Sequence, residues 1–96
     1  MSRNEGTKTT IEIDPREETL KIVVWDDADV SAEEVEQFLW SGVLSQSTLE
    51  MLCNSTRRIR DGYQEVVFWL RGVCDFLELE LDIRAALARM QGLQCV

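Results

Sequence analysis

Apolar and polar residues alternate in two short runs near the start of the chain. The apolar members of these runs are Ile11, Ile13, Leu20, Ile22 and Val24. A period of two is typical of a β-strand that buries one face. Pro15 lies between the runs and presets its φ angle for a turn. The pattern predicts a β-hairpin over residues 9–25. A lone hairpin is marginally stable, so its apolar face should pack on a helix or its edge should pair with a second chain.

A helix is predicted to begin at Ala32. Ser31 and Glu34 are spaced as a capping box, in which both side chains accept hydrogen bonds from backbone N–H groups at the helix start. The helical pattern ends at Gly42. A second helix start is predicted at Ser47, where a glutamate again follows three residues later.

From Leu49 onward the apolar residues recur at a spacing close to a seven-residue helical repeat. These residues are Leu49, Leu52, Cys53, Ile59, Tyr63, Val66, Val67, Leu70, Val73, Cys74 and Leu77. Asp61 and Gly62 either break this run into two helices or lie inside one long helix, because a glycine within a helix costs only about 1 kcal/mol relative to alanine. We favour a break. A last helix is predicted to run through Ile83 and Met90.

Together these elements predict one domain over residues 1–96, of an α+β class that is mostly α. Residues 1–8 are expected to form a disordered tail, residues 9–25 the hairpin, and residues 31–91 three to four helices. Hydrophobic residues make up 45% of the chain and charged residues 29%, which is typical of a globular protein with a packed core.

The net charge of −8 argues against two classes of partner. Eleven of the eighteen acidic residues lie in the first forty positions. Nucleic-acid affinity comes mostly from lysine and arginine that neutralise phosphates, so we expect no direct binding to nucleic acid and none to an anionic membrane. No long apolar run or secretory signal is present, and the three cysteines are odd in number, which together indicate a cytoplasmic protein.

The residue types needed for common catalytic sites are missing or poorly placed. The chain has no histidine, which removes the commonest general base and the commonest transition-metal ligand. Cys53 and Cys74 lie on the predicted buried stripe, where a thiol behaves as a small apolar group. The cysteines also lack the close pairing of a zinc site. We therefore predict no catalytic residue, no cofactor and no enzymatic activity.

Clustered aspartates raise the possibility of calcium binding. Asp26, Asp27 and Asp29 are close in sequence, but an EF-hand loop counted from Asp27 would place Ala32 where glycine is needed and Phe38 where a bidentate glutamate is needed. We interpret the segment as a solvated acidic loop, and predict no metal site.

Arg57, Arg58 and Arg60 form the main basic cluster. At the end of a predicted helix they would complement the helix dipole and pair with the acidic loop. The alternative is a binding patch, because arginine is enriched among interface hot spots.

The segment from Val66 to Leu79 is apolar at ten of fourteen positions. As a helix it would be apolar nearly all round, and such a helix belongs in the middle of a large core. A chain of 96 residues has few layers with which to surround it. We therefore expect this segment to be covered by a second copy or by a partner protein. The alternative is that the hairpin and the other helices cover it.

Two groups of residues follow from this interpretation. The predicted partner-binding surface comprises Tyr63, Phe68, Trp69, Phe76, Leu79, Arg57 and Arg58. The predicted dimer interface or core comprises Leu49, Leu52, Val66, Leu70, Val73 and Leu77.

The acidic first part and a helical second part that carries Tyr63, Phe68, Trp69 and Phe76 resemble the small quorum-sensing antiactivators of the QslA type in bacteria. The resemblance covers residues 31–91 in overall character. It implies binding to a LuxR-type transcriptional regulator, so that the dimerisation or the DNA binding of that regulator is blocked.

The leading hypothesis is therefore a cytoplasmic homodimer that sequesters a transcriptional regulator through an apolar helix face. A second hypothesis is an acidic, phage-type mimic of nucleic acid. Its surface would be formed by Asp26, Asp27, Asp29, Glu33, Glu34 and Glu36. A third is a secretion chaperone whose hairpin edge pairs with an extended client.

Overall fold

Four antiparallel strands form one sheet, and three helices pack against one of its faces. The computed structural model describes residues 9–26, 30–71 and 75–94. The elements in chain order are β1 (Thr9–Asp14), β2 (Thr19–Trp25), α1 (Ala32–Phe38), a π-helical turn (Leu39–Val43), α2 (Gln46–Met51), β3 (Leu52–Arg60), β4 (Tyr63–Leu70) and α3 (Phe76–Gln94). The strand order in the sheet is β1-β2-β4-β3. Within the described residues, no helix is both long enough and apolar enough to cross a bilayer.

The first two strands form the hairpin that the alternation predicts. Ile11 pairs with Ile22 and Ile13 with Leu20, so the apolar residues of both strands share the face that carries the helices. The turn after Asp14 is closed by its carboxylate, which accepts a hydrogen bond of 3.0 Å from the backbone N–H of Arg16. This part of the fold follows from local pattern and turn chemistry alone.

The prediction of a mostly α fold, with three to four helices following the hairpin, is wrong. The segments 52–60 and 63–70 are strands β3 and β4, which pair with each other in an antiparallel hairpin. Asp61 and Gly62 form the two-residue turn between them. Gly62 has a φ of +90°, a conformation that glycine adopts without a Cβ clash. The structure is therefore an α+β fold built on a four-stranded sheet.

The position of β4 in the sheet explains why its sequence resembled a helix. β4 pairs with β2 on one side and with β3 on the other, and four consecutive residues from Glu65 to Phe68 are buried. A strand buried on both faces has no alternation of apolar and polar residues. The valine and aromatic content of 63–70 is nevertheless typical of a strand.

One hydrophobic core lies between the sheet and the helices. The strands contribute Leu20, Ile22, Val24, Leu52, Val66, Phe68 and Leu70, and the helices and their connections contribute Val30, Ala32, Val35, Leu39, Leu44, Leu79, Ile83, Ala86, Leu87 and Met90. The capping box at Ser31 and Glu34 is confirmed, with both reciprocal hydrogen bonds formed. The second helix is capped by Ser45 and not by the predicted Ser47.

A polar network joins the start of α2 to the middle of α3. The backbone N–H of Ser45 donates to the Asp82 carboxylate at 2.9 Å, and the Ser45 hydroxyl donates to the hydroxyl of the buried Thr48 at 3.1 Å. Burial raises the pKa of the Asp82 carboxyl, but hydrogen bonds from Ser45 and Thr48 outweigh this effect. Together with the nearby charge of Arg89, they hold the pKa of Asp82 below its ordinary value.

Replacing Asp82 with asparagine is expected to lower the free energy of unfolding by about 1 kcal/mol at neutral pH, because hydrogen bonds to a charged acceptor are lost. The pKa of Asp82 is lowered in the folded state, so its contribution is full above the ordinary value of 3.8 and is lost as the pH falls through the folded value. Urea denaturation of both proteins should show the difference shrinking below pH 3.8. A difference of the same size at every pH would contradict the charged role of Asp82.

Candidate functional site

The outer edge of β3 is open in the described part of the molecule. β3 lies at one end of the sheet and pairs with β4 on its inner side. Seven of its nine residues are exposed. The outer side of an edge strand presents N–H and C=O groups that can pair with another strand. This edge can therefore accept an additional strand.

A groove of about 560 Å³ lies beside this edge, between β3 and α1. Its lining residues are Ser31, Glu33, Glu36, Ser55, Thr56, Arg57, Ile59 and Gln64. A helix wall next to an open strand edge is the geometry in which proteins bind extended peptides by strand addition. The groove and the edge together form the candidate site, which we call the β3 groove.

Polar contacts hold α1 against β3. The Arg57 guanidinium donates to the Glu36 carboxylate at 3.0 Å and lies 3.6 Å from that of Glu33. The Ser55 hydroxyl also donates to Glu36, and the Trp40 indole N–H donates to Ser55 at 2.9 Å. Because each of these contacts joins the helical layer to the edge strand, they set the width of the groove.

Apolar surface is exposed in and beside the β3 groove. Ile59, which lines it, has 82% of its surface exposed. By its pairing with Gln64, Ile59 lies on the same face of the sheet as Ser55 and Arg57. Trp40 is also exposed, with its ring 5.6 Å from that of the buried Phe68. A bound segment can therefore bury apolar side chains here.

The three arginines of β3 differ in how far they are neutralised. Arg57 pairs with acids of α1, and Arg60 lies 3.3 Å from Glu65, which is only 5% exposed. Arg58 is exposed on the opposite face of the sheet and forms no ion pair with a described residue. Arg58, adjacent in sequence to the exposed Ile59 but on the other face, therefore carries a positive charge without an ion pair to a described residue, although acidic residues line the same surface depression.

The sheet face opposite the helices is a second surface, which carries both aromatic and charged side chains. Trp25 and Tyr63 lie with ring centroids 5.1 Å apart, and Trp69 is half-buried on the same face. Glu65 at the centre of this face also lies 3.7 Å from Lys21. A shallow depression of about 370 Å³ near Trp69 contains acidic and basic side chains together. The charged groups of this face largely neutralise one another.

The residues predicted to bind a partner are divided between several places. Phe68 and Leu79 have no exposed surface and lie in the core, so the structure corrects their predicted placement on a binding surface. Phe76 packs partly buried against the core. Tyr63 and Trp69 lie on the open sheet face, as described above. The sequence had placed all of these on helices, whereas Tyr63, Phe68 and Trp69 belong to β4.

The two predicted arginines, Arg57 and Arg58, are the members of this set that belong to the β3 groove or its edge. Of the predicted interface or core residues, Leu52, Val66 and Leu70 are buried in the core, and Leu49 packs partly against it. Leu77 is 67% exposed on α3 and does not belong to the core. Val73 lies outside the described residues.

Sequence reasoning missed several residues of the β3 groove. Glu36 of α1 and Ser55 and Ile59 of β3 line the groove, and Trp40 of the π-helical turn lies beside it, bonded to Ser55. The apolar spacing predicts Ile59 on a buried helical stripe, whereas it is exposed on β3. The signal that could have found it is Asp61-Gly62, since an Asp-Gly pair between β-prone runs is the strongest short-range sign of a hairpin.

No metal-binding cluster occurs in the described ranges 9–26, 30–71 and 75–94. Histidine, cysteine and acidic side chains form no group of three that could hold a metal ion there. Cys53 is exposed on β3, which corrects its predicted place in the core. Asp27, Asp29 and the two remaining cysteines, Cys74 and Cys95, lie outside the described residues.

Comparison with known proteins gives no relative. The chain matches no protein-family model, no curated protein and no solved structure.

Proposed function

We propose that this protein binds other proteins by capturing an extended segment of its partner at the β3 groove. The observation that supports this most strongly is the open edge of β3 beside a helix-walled groove of about 560 Å³. Added strands gain affinity from main-chain hydrogen bonds and specificity from alternate side chains. The proposal places recognition on a strand edge, and the apolar helix face predicted for residues 66–79 has no part in it.

The side chains of β3 define the chemistry of the segment. Successive residues of a strand point to opposite faces, so Ile59 faces the groove while Arg58 faces the other side. A bound strand would place one side chain beside Ile59 and an adjacent one beside Arg58. The proposed ligand is therefore an extended segment with an acidic residue next to an apolar residue.

Pairing of β3 with itself is the less favourable use of this edge. An antiparallel pair of β3 strands centred near Ile59 would place Arg58 and Arg60 of one copy opposite or diagonal to those of the other. Like charges at such positions destabilise a sheet. The positive charge of Arg58 favours an acidic ligand, which is why we propose a heterologous segment.

The partner is proposed to be a regulatory protein, with sequestration as the outcome. A chain that occupies an extended segment of a transcriptional regulator blocks whatever that segment would otherwise bind. The cytoplasm is the proposed location. No step of this proposal requires catalytic chemistry, and the chain lacks histidine.

Selection from a library of random peptides displayed on phage tests the proposal. Peptides enriched by the wild-type protein should contain an acidic residue next to an apolar residue. Ile59→Lys should weaken binding of these peptides by about tenfold or more, the effect of losing ~1.4 kcal/mol. Arg58→Glu should reverse the preference, so that peptides with a basic residue are enriched. Changes in amide NMR shifts should be confined to β3 and α1.

Leu81→Lys is the matched control, because it introduces the same charge at another exposed apolar residue, on α3. It should leave peptide affinity unchanged. The proposal is overturned if no peptide is enriched, if Arg58→Glu selects the same peptides as the wild type, or if the shift changes map to the face that carries Trp69.

A further inference from the structure

α3 has an outward face that no described residue covers. Leu79, Ile83 and Ala86 of this helix have no exposed surface and point into the core. On the opposite side, Leu77 is 67% exposed and Leu81 is 58% exposed. A helix that presents large apolar side chains on both sides has more apolar surface than its own domain covers.

The exposed apolar residues of α3 form one stripe. Among residues 76–90, for which side-chain exposure is described, they are Leu77, Leu81, Ala85 and Ala88. Their spacing of four, four and three residues places them on one side of a helix of 3.6 residues per turn. The stripe changes along its length from leucine to alanine, so its first half projects and its second half is flat. Two such stripes fit each other when they run in opposite directions, because each leucine then meets an alanine.

The charges beside the stripe also change along its length, from acidic to basic. Glu78 and Glu80 flank its first half, and Arg84 and Arg89 flank its second half. In an antiparallel pair of helices related by a two-fold axis, Glu80 of one copy lies opposite Arg84 of the other, and the reciprocal pair forms by symmetry. On the other flank, Glu78 accepts a hydrogen bond from Ser47 at 2.7 Å and Arg89 donates to the Val43 carbonyl at 3.0 Å, so the charge complementarity between copies rests on Glu80 and Arg84. A parallel arrangement would bring like charges together.

We infer that α3 binds a second copy of this chain through this stripe, in an antiparallel two-helix interface. The opposite charges and the complementary side-chain sizes both favour a second copy of this chain, and both favour the antiparallel arrangement. α3 contacts β1, α2 and the π-helical turn, whereas the β3 groove lies between α1 and β3. The interface therefore leaves both β3 grooves accessible, so that the dimer presents two binding sites for one partner assembly.

Analytical ultracentrifugation of the full chain over micromolar to near-millimolar concentrations tests this inference. The contact of two short stripes is small, so a dissociation constant in the micromolar range is expected. Leu81→Lys should raise this constant by about tenfold or more, because it buries an unpaired charge at the centre of the interface. Ile59→Lys, which alters the distant β3 groove, is the matched control and should dimerise like the wild type.

A mixing experiment separates the contact between copies from contacts within one helix. Arg84 already pairs with Glu80 of its own helix at 2.8 Å, so either charge reversal breaks that pair. Glu80→Arg alone and Arg84→Glu alone should each be monomeric, since like charges then meet across the interface. An equimolar mixture should form dimers again, because the two variants are complementary to each other but their internal pairs stay broken.

The inference is overturned if the wild-type chain stays monomeric at the highest concentration, if Leu81→Lys dimerises like the wild type, or if the mixture remains monomeric. Circular dichroism of each variant shows that the fold is retained. Peptide binding at the β3 groove is measured separately, so loss of dimerisation and loss of the proposed function are distinguishable results.

Discussion

Replacing Phe68 with alanine is expected to lower the free energy of unfolding by about 4 kcal/mol, as found for well-buried phenylalanines. Phe68 has no exposed surface, and on β4 it lies between its register partners Leu20 and Ser55. Removing its ring leaves a cavity that a central strand cannot close, since both of its edges are paired. Domains of this size have a total stability of about 5–15 kcal/mol, so this one change removes a large share.

Trp69→Ala is the control for this prediction. Trp69 is next to Phe68 in sequence but half-buried on the opposite face of the sheet, so its loss should cost no more than about 2 kcal/mol. Urea denaturation followed by far-UV circular dichroism measures both. Equal losses for the two variants would mean that residues 63–70 do not form a central strand with Phe68 towards the helices.

Replacing Ile83 with alanine is expected to cost about 3 kcal/mol, within the range for a fully buried aliphatic side chain. Ile83 has no exposed surface and packs in the core that α3 shares with the sheet. Leu81 lies two residues away on the exposed side of the same helix. Leu81→Ala should therefore change the free energy of unfolding by no more than about 0.5 kcal/mol in the monomer.

Thermal and urea unfolding at low micromolar concentration measure this pair of variants. Low concentration is needed because association with a second copy would add to the stability of any folded chain that dimerises. A large loss for Leu81→Ala, or a small one for Ile83→Ala, would show that α3 is rotated from the orientation described. That rotation would also remove the stripe on which dimerisation is inferred.

Local sequence signals were sufficient for the first third of the fold. The alternation of Ile11, Ile13, Leu20 and Ile22 requires no knowledge of the rest of the chain, because one face of this hairpin is solvated or half-buried. The capping box at Ser31 is equally local, since both hydrogen bonds join residues three apart. These are features in which propensity and tertiary structure agree.

The second hairpin shows where periodicity misleads. Residues 52–70 contain apolar residues at spacings that fit a helix, and β4, which is covered on both faces, gives no alternation to contradict that interpretation. The types of residue predict the strands better than their spacing does. Valine and aromatic residues after an Asp-Gly pair favour a hairpin, and this evidence should have outweighed the spacing.

The sequence analysis expects excess apolar surface on residues 66–79, but the structure places the exposed apolar side chains mostly elsewhere. Val66, Val67, Phe68 and Leu70 are all buried within one chain, because a central strand uses both of its faces and both of its edges. Among the described residues, the most exposed large apolar side chains are instead Ile59 on an edge strand and Leu77 and Leu81 on the outer side of α3, followed by Trp25 and Trp40. The general expectation of protein binding stays a proposal, but it now rests on different residues.

The sequence by itself determined the first hairpin, the helix start at Ala32 and the acidic character of the chain, because these depend on neighbours within a few positions. The tertiary structure alone decided that β4 is central, that β3 is an open edge and that α1 stands beside it as a wall. The contacts that create the β3 groove, such as Glu36 with Arg57 and Trp40 with Ser55, join residues fifteen or more positions apart. Strand order and helix placement arise from the burial of the whole apolar surface at once, and no local pattern encodes that choice.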